Sequence, residues 1–243
     1  MKIDTNILKE YINKVSLSAT IPMIDLNFTS EGVTTAVKND SQVALAIGLL
    51  KKEAFEEYEE IGEIYIRNSR MLIEILKTFD DGITIAREGD FILKLSTNKR
   101  KVHIMLAEKK ICANLLQDKK PDIEPELTFK IDKTILTKTV NDMKLLDVLN
   151  VNFVKDKTGV RINIGKKKSY DFITNTEICE DAFTLKEDAD VKVGVGGGFR
   201  EVVSSLGDSV TLKLASNKPL VFEDLREHMN VEFIVAPFVE AVE

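Results

Sequence analysis

An amphipathic helix followed by a set of short strands occurs four times along the chain, at a spacing of about sixty residues. A repeat of this length constrains the fold strongly, because each copy must bury its apolar face in an equivalent way. The first helix is predicted over about Thr5–Ser18, with Asp4 or Thr5 as N-cap and a stripe of Leu8, Ile12 and Val15 flanked by Ile7 and Tyr11. The second runs over about Ser69–Thr78 behind Asn68 or Ser69, with Leu72, Ile75, Leu76 and Phe79 inward. The third, about Lys133–Leu146, is capped by Asp132 and turns Ile135, Leu136, Val140 and Met143 inward. The fourth and shortest, about Gly198–Leu206, carries Phe199, Val202, Val203 and Leu206 at one-face spacing.

The strands have their own periodicity. Met23–Phe28 alternates and turns at Ser30–Gly32 into Val33–Val37, and the stretch from Val148 through Gly159 to Ile164 repeats that pattern. Further strands are expected over Gln42–Leu50, Gly82–Ala86, Phe91–Leu95, Val102–Ala107, Ile111–Leu116 and Val231–Val235, the last stopped by Pro237 because proline cannot donate to a ladder. Residues 118–126 lack apolar periodicity and combine two prolines with dense charge, which marks a linker. The reading is α+β, with similar domains over 1–117 and 127–243 and a connector over 118–126. Each domain is expected to hold antiparallel sheet with two helices packed on one face.

Composition excludes several classes. With 44% hydrophobic residues in 243 the chain can build a sizeable core. No apolar run reaches the roughly 18 residues of a spanning helix, so no membrane is expected, and the start lacks the pattern of a secretory leader. Cys112 and Cys179 make no framework and read as reduced thiols, while His103 and His228 stand alone, so no metal site is predicted. The glycine run Gly194–Gly198 joins a strand to a helix and offers an alternative reading, an α/β enzyme binding a nucleotide phosphate. It lacks the Lys-Ser/Thr of a P-loop and the full GxGxxG spacing. No catalytic residue and no cofactor are predicted. The net charge of −6 argues against nucleic-acid binding by the whole surface, yet leaves room for a local basic face.

Several segments then fall into one order. Phe28–Val43 resembles the first hairpin, Ala54–Tyr58 the Phe-x-x-Tyr segment, and Pro219 onward to Ala236–Pro237 the closing strands of DNA sliding clamps of the proliferating-cell-nuclear-antigen type. The resemblance covers nearly the whole chain. It implies a non-enzymatic polymerase processivity factor, two clamp domains per chain, and a closed trimeric ring of this subunit or of paralogous ones, a specialised heterotrimeric subunit included. Its location would be cytoplasmic if the source is archaeal or a virus of a prokaryotic host, and nuclear if eukaryotic.

The resemblance also implies three surfaces. The helices would line the ring and face duplex DNA through Lys9, Lys14, Arg70, Lys77, Lys138, Lys144 and Arg200, a thinner basic lining than is common, since Ser16 and Glu74 stand where basic residues are frequent. Val37, Gln42, Val43, Ile123, Pro125, Pro219, Ile234, Val235, Ala236 and Pro237 would form a groove for clamp-binding peptides of DNA polymerase, clamp loader, flap nuclease and ligase. For Val43 and Val235 taken singly, the domain core is the competing place. An edge strand carrying Lys110, Ile111, Cys112 and Leu115 would meet a strand of the next subunit near Lys168–Asn175, which brings Tyr170 and Phe172 to the contact.

Overall fold

The computed structural model describes residues 1–117, 120–157, 159–164, 174–178, 184–185 and 190–238, with the backbone alone at 174–178 and 184–185. Two compact units make up the chain, Met1–Lys120 with Leu225–Glu232 and Pro121–Asp224 with Phe233–Glu243. The first half contains β1 (Lys2–Ile3), α1 (Thr5–Val15), β2 (Ile24–Thr29), β3 (Gly32–Lys38), β4 (Ala44–Lys51), β5 (Phe55–Glu57), β6 (Gly62–Ile66), α2 (Ser69–Leu76), β7 (Ile83–Glu88), β8 (Ile92–Ser96), β9 (Lys101–Met105) and α3 (Lys109–Cys112). The second contains β10 (Leu127–Asp132), α4 (Lys133–Leu145), β11 (Val151–Asp156), β12 (Gly159–Ile164), β13 (Thr174–Ile178), β14 (Thr184–Leu185), β15 (Val191–Val195), α5 (Phe199–Ser205), β16 (Ser209–Leu214), β17 (Leu220–Leu225) and β18 (Met229–Val235). With α3 set aside, the two halves have the same element order.

Strand pairing repeats as well. The first half pairs in the orders β5-β1-β7-β8-β9 and β4-β3-β2-β6, and the second in the orders β14-β10-β16-β17-β18 and β13-β12-β11-β15. The hairpins agree down to their turns. Thr29 faces Gly32 and Asp156 faces Gly159, and these glycines take φ of +136° and +123°. A side chain at Gly32 would also run into the Leu50 carbonyl, so glycine is required there twice over.

The helices form where capping and periodicity ask for them. The Asp4 carboxylate accepts from the Asn6 N–H at 2.6 Å to start α1, and Asn68 accepts from the Met71 N–H at 2.8 Å to start α2, whereas Asp132, expected to cap α4, stands at its N-cap without a side-chain cap bond. α1 ends because Leu17, Ser18 and Ala19 all turn to left-handed φ, a conformation that breaks the helical ladder. Its buried face is Leu8, Tyr11, Ile12 and Val15, and it packs beside α2 and onto β3 and β4. Tyr11 is fully buried, with its hydroxyl 3.0 Å from both the Val33 carbonyl and Thr35 Oγ1, so the ring fills the core and its polar tip stays satisfied. In the second unit α4 packs beside α5 and onto β10 and β12, where Phe199 meets Phe153 edge to face at 5.9 Å between ring centres.

One expected strand is a helix. Residues 111–116, read as an edge strand, fold as the end of α3 followed by a short 3-10 turn over Ala113–Leu115. Cys112 and Leu115 lie three residues apart, which puts both on one side of a helical turn; Cys112 is buried with Tyr65 and Ala107 against Met23 and Leu116. Among the described residues the strand at the end of that sheet is β9, and β13 ends its own run in the second half.

Candidate nucleic-acid interface

The solvent side of the helices carries an uneven set of cations. On α1, Lys9 is half-buried and its ammonium donates to Asn6 Oδ1 at 2.9 Å. Lys14 does not reach this face: it is 4% exposed, with its ammonium 3.9 Å from the Glu10 carboxylate, and Ser16 is likewise buried. Three residues after Tyr11, Lys14 shares the helix's buried side and so lies under the surface the sequence assigned it. On α2, Arg70 is exposed and Lys77 pairs with Glu74 at 2.7 Å, so one acid offsets part of that face.

The second unit offers more open charge. Lys138 and Lys144 are exposed on α4 beside Thr137 and Asn141, and neither has an ion-pair partner among the described residues. Arg200 on α5 is half-buried and donates from Nη2 to the Val148 carbonyl at 2.8 Å, which turns it from a free phosphate contact into a brace for the loop after α4. The cations standing outward are therefore Lys9, Arg70, Lys77, Lys138 and Lys144, spaced along helices rather than clustered. Side chains of this length reach phosphate oxygens without entering a groove, and a sparse set holds a duplex loosely.

The residues assigned to a peptide groove divide between the units. In the first, Val37 is fully buried, Gln42 is exposed in a left-handed turn at φ +56°, and Val43 is half-buried. The residues just before the connector are tied to this unit: Leu116 bridges to Val37 and the Gln117 N–H donates to the Ala36 carbonyl at 3.0 Å. In the second unit Ile123, Pro125, Pro219, Ala236 and Pro237 are half-buried, while Ile234 and Val235 belong to the core. The exposed apolar parts of the assignment are thus narrower than expected, because alternation along β3 and β18 sends Val37 and Val235 inward.

The tail after β18 has a definite seat. Pro237 bridges to Val195 and the Phe238 N–H donates to the Gly194 carbonyl at 2.7 Å. A Cβ on Gly194 would lie 2.9 Å from Asn152 Oδ1 and 3.3 Å from the Phe238 carbonyl, so this glycine leaves room for Asn152 and for the tail. Phe238 itself is 48% exposed and was absent from the sequence assignment, although an aromatic residue directly after Ala236–Pro237 was the available signal.

At the subunit contact, Lys110 and Ile111 are exposed, Cys112 and Leu115 are buried, and Tyr170 and Phe172 lie outside the described residues. The burial of Cys112 and Leu115 in their own unit removes them from an edge. Among the described residues β9 ends its sheet opposite β5, with Lys101, His103 and Met105 on its exposed face and His103 Nε2 3.5 Å from the Glu88 carboxylate. Nearby, the Tyr65 hydroxyl and the Lys109 ammonium both bond Glu63, and they hold its carboxyl below the usual range.

No family profile matches this sequence, and no curated protein matches it either. Solved structures do. The chain is similar to the proliferating cell nuclear antigen of Entamoeba histolytica, with 19% identity, a TM-score of 0.80, and 98% of each chain covered. It is also similar to the A. fulgidus antigen with the C-terminal region of FEN-1 bound, at 19% identity and a TM-score of 0.81, covering 99% of this chain and 98% of that one. These likenesses establish the fold, which is the two-domain sliding-clamp fold from end to end.

Proposed function

We propose that this chain is one subunit of a ring that encircles duplex DNA and holds replication and repair enzymes to it, a tether that does no chemistry itself. The observation that carries this reading is a sliding-clamp fold spanning 98% to 99% of the chain. The helix faces support it: Lys9, Arg70, Lys77, Lys138 and Lys144 stand outward from an otherwise acidic protein. Phosphate contacts of this kind carry no sequence information and exchange quickly, which suits a protein that must slide. Negative charge elsewhere discourages DNA from binding anywhere but along those helices.

The ring would close head to tail, β9 of one copy alongside β13 of the next, so that each copy covers an edge the other leaves open. Partners would dock through short peptides near Ala236, Pro237 and Phe238, and a flap nuclease is the first candidate, since one similar structure holds a FEN-1 segment. The test is primer extension with the cognate polymerase. Lys9→Glu, Lys77→Glu and Lys138→Glu combined should return product lengths to those of the polymerase alone. Products as long as with the unaltered protein would sink the assignment of these helices to DNA.

A further inference from the structure

The matching hairpins of the two halves differ at one pair. In the second half the β11–β12 ladder runs from Asp156 opposite Gly159 to Val151 opposite Ile164, with Asn152 facing Asn163 on the way. In the first half the β2–β3 ladder runs from Thr29 opposite Gly32 only as far as Asn27 opposite Thr34, although β3 continues to Lys38. Asp25 and Ala36 hold the places of Asn152 and Asn163, and the ladder has stopped before them. The surroundings still correspond: Asp25 faces Tyr65 on β6 as Asn152 faces Gly194 on β15, and the Ala107 N–H donates to the Tyr65 carbonyl as the Phe238 N–H donates to Gly194. At the break, side chains take the backbone groups. The Ala36 N–H donates to the Asp25 carboxylate at 3.2 Å, and the Thr35 hydroxyl donates to the Asp25 carbonyl at 2.8 Å. The Ala36 carbonyl takes the Gln117 N–H, and Val37 takes Leu116. Residues 116–117 therefore sit beside β3 where β2 has left it.

We propose that Asp25 is a proton-operated anchor for the segment from α3 to Gln117: protonated, it leaves the segment seated against β3, and ionised, it favours opening of the segment and release of the β3 edge. The segment packs around this carboxyl. Cys112 and Leu116 close over Met23, two residues before Asp25, and over Tyr65, which faces it. The charged and titratable groups around Asp25 are Glu63 and Tyr65 from β6, Lys109 and the Cys112 thiol from α3, Tyr11 from α1, and Arg67 beyond Cys112. Glu63 opposes the charge on Asp25 and Lys109 favours it, while the Lys109 ammonium is itself bonded to Glu63 at 3.2 Å. Burial is the largest influence and pushes the carboxyl up to about 6. Opening the segment admits water to the carboxylate and leaves the Ala36 N–H in place to bond it. Loss of Lys109 offsets part of that gain.

The seated carboxyl titrates near 6 and a hydrated one near its ordinary 3.8. Opening is therefore least below pH 4, where both forms are protonated. It climbs as pH rises and levels off above the seated value, where both are ionised. Near neutrality the anchor stands in its loosened state. The device lies within the first unit and goes beyond the clamp reading, whose failure would be seen separately as no stimulation of DNA synthesis by the unaltered protein.

The experiment follows Cys112, which the seated segment buries, in the full chain carrying Cys179→Ser, so that one thiol remains. Its reaction with 4,4′-dithiodipyridine is timed at several pH values, each rate divided by that of the urea-unfolded chain at the same pH to remove the thiol's own titration. The ratio should rise by about tenfold from pH 5 to pH 8, the limit set by the two carboxyl values, and by at least about threefold after the loss of Lys109. With Asp25→Asn it should stay level within about twofold. A level ratio in the presence of Asp25, or an equal rise in Asp25→Asn, overturns the anchor. Adding about 1 M urea should change the ratio by less than about twofold, as for a local opening; a rise of about tenfold or more would assign the reaction to global unfolding and also overturn it. Gln117→Pro tests the seat independently. Leu116 is already extended at ψ 148°, which suits a following proline, and the variant loses only the N–H that bonds Ala36. It should raise the ratio at pH 5 by about fivefold, as for one hydrogen bond, and an unchanged ratio would remove residues 116–117 from the device.

Discussion

Asp25 and Asn152 hold one position in the repeat, and only the first is ionisable. Asp25 is half-buried at the start of β2 and accepts from the Ala36 N–H at 3.2 Å. Burial pushes its carboxyl up from 3.8 to about 6, against the pull of the Ala36 N–H, with Glu63 raising it further and Lys109 lowering it. A folded-state value above the unfolded one means that the charged form is the costly one. Stability from this site is therefore full below pH 4 and is lost as pH rises through 6. Asp25→Asn, the repeat's own alternative, keeps an acceptor for Ala36 and should stabilise the chain by about 1–2 kcal/mol at pH 8. Urea unfolding at several pH values checks this. The gain should shrink through pH 6 and vanish near pH 4, and a gain of equal size at pH 4 and pH 8 would contradict the burial argument.

At the scale of elements, the long helices announce themselves and the short ones do not. Asp4 and Asn68 bind the N–H groups expected of caps, and most of each stripe on α1, α2, α4 and α5 lies inward, although Ile75 and Ile135 are only half-buried and Ile73 is buried in place of Ile75. Asn68→Ala should cost about 1 kcal/mol, read as an earlier thermal midpoint with the same final baseline. The α3 segment misleads because a single helical turn and a short strand share the same apolar letters. What decides is the cluster of Tyr65, Ala107 and Met23, which only the folded chain brings together. The same limit applies to the basic face: spacing marked Lys9, Lys77, Lys138 and Lys144 as outward but not the burial of Lys14 or the bond from Arg200 to Val148. Those depend on how deep a helix sits, and a stripe does not record depth. Alternation marks β9 as a strand, since Lys101, His103 and Met105 alternate with Val102 and Ile104, but it does not mark it as the sheet's end, which the sequence places at 111–116.

At the scale of the whole molecule, the proposed ring would turn on the β9 edge. Successive residues of a strand direct their N–H groups to opposite sides, so of Val102 and His103 one donates to β8 and the other outward. Proline at each in turn should separate the two roles. One variant should keep its unfolding midpoint and lose assembly, falling from near three times the 27.3 kDa chain mass to a single chain in light scattering; the other should lose stability as well. Retention of the assembled mass by both would remove β9 from the contact. The matched turns carry a different consequence. Gly32 and Gly159 close the same hairpin in two copies that have otherwise diverged, as have Asp25 and Asn152 or Ala107 and Phe238. The chain thus supplies its own paired control. A substitution that harms both twins alike reports on the shared architecture, and one that harms a single twin reports on what that half alone was selected to do.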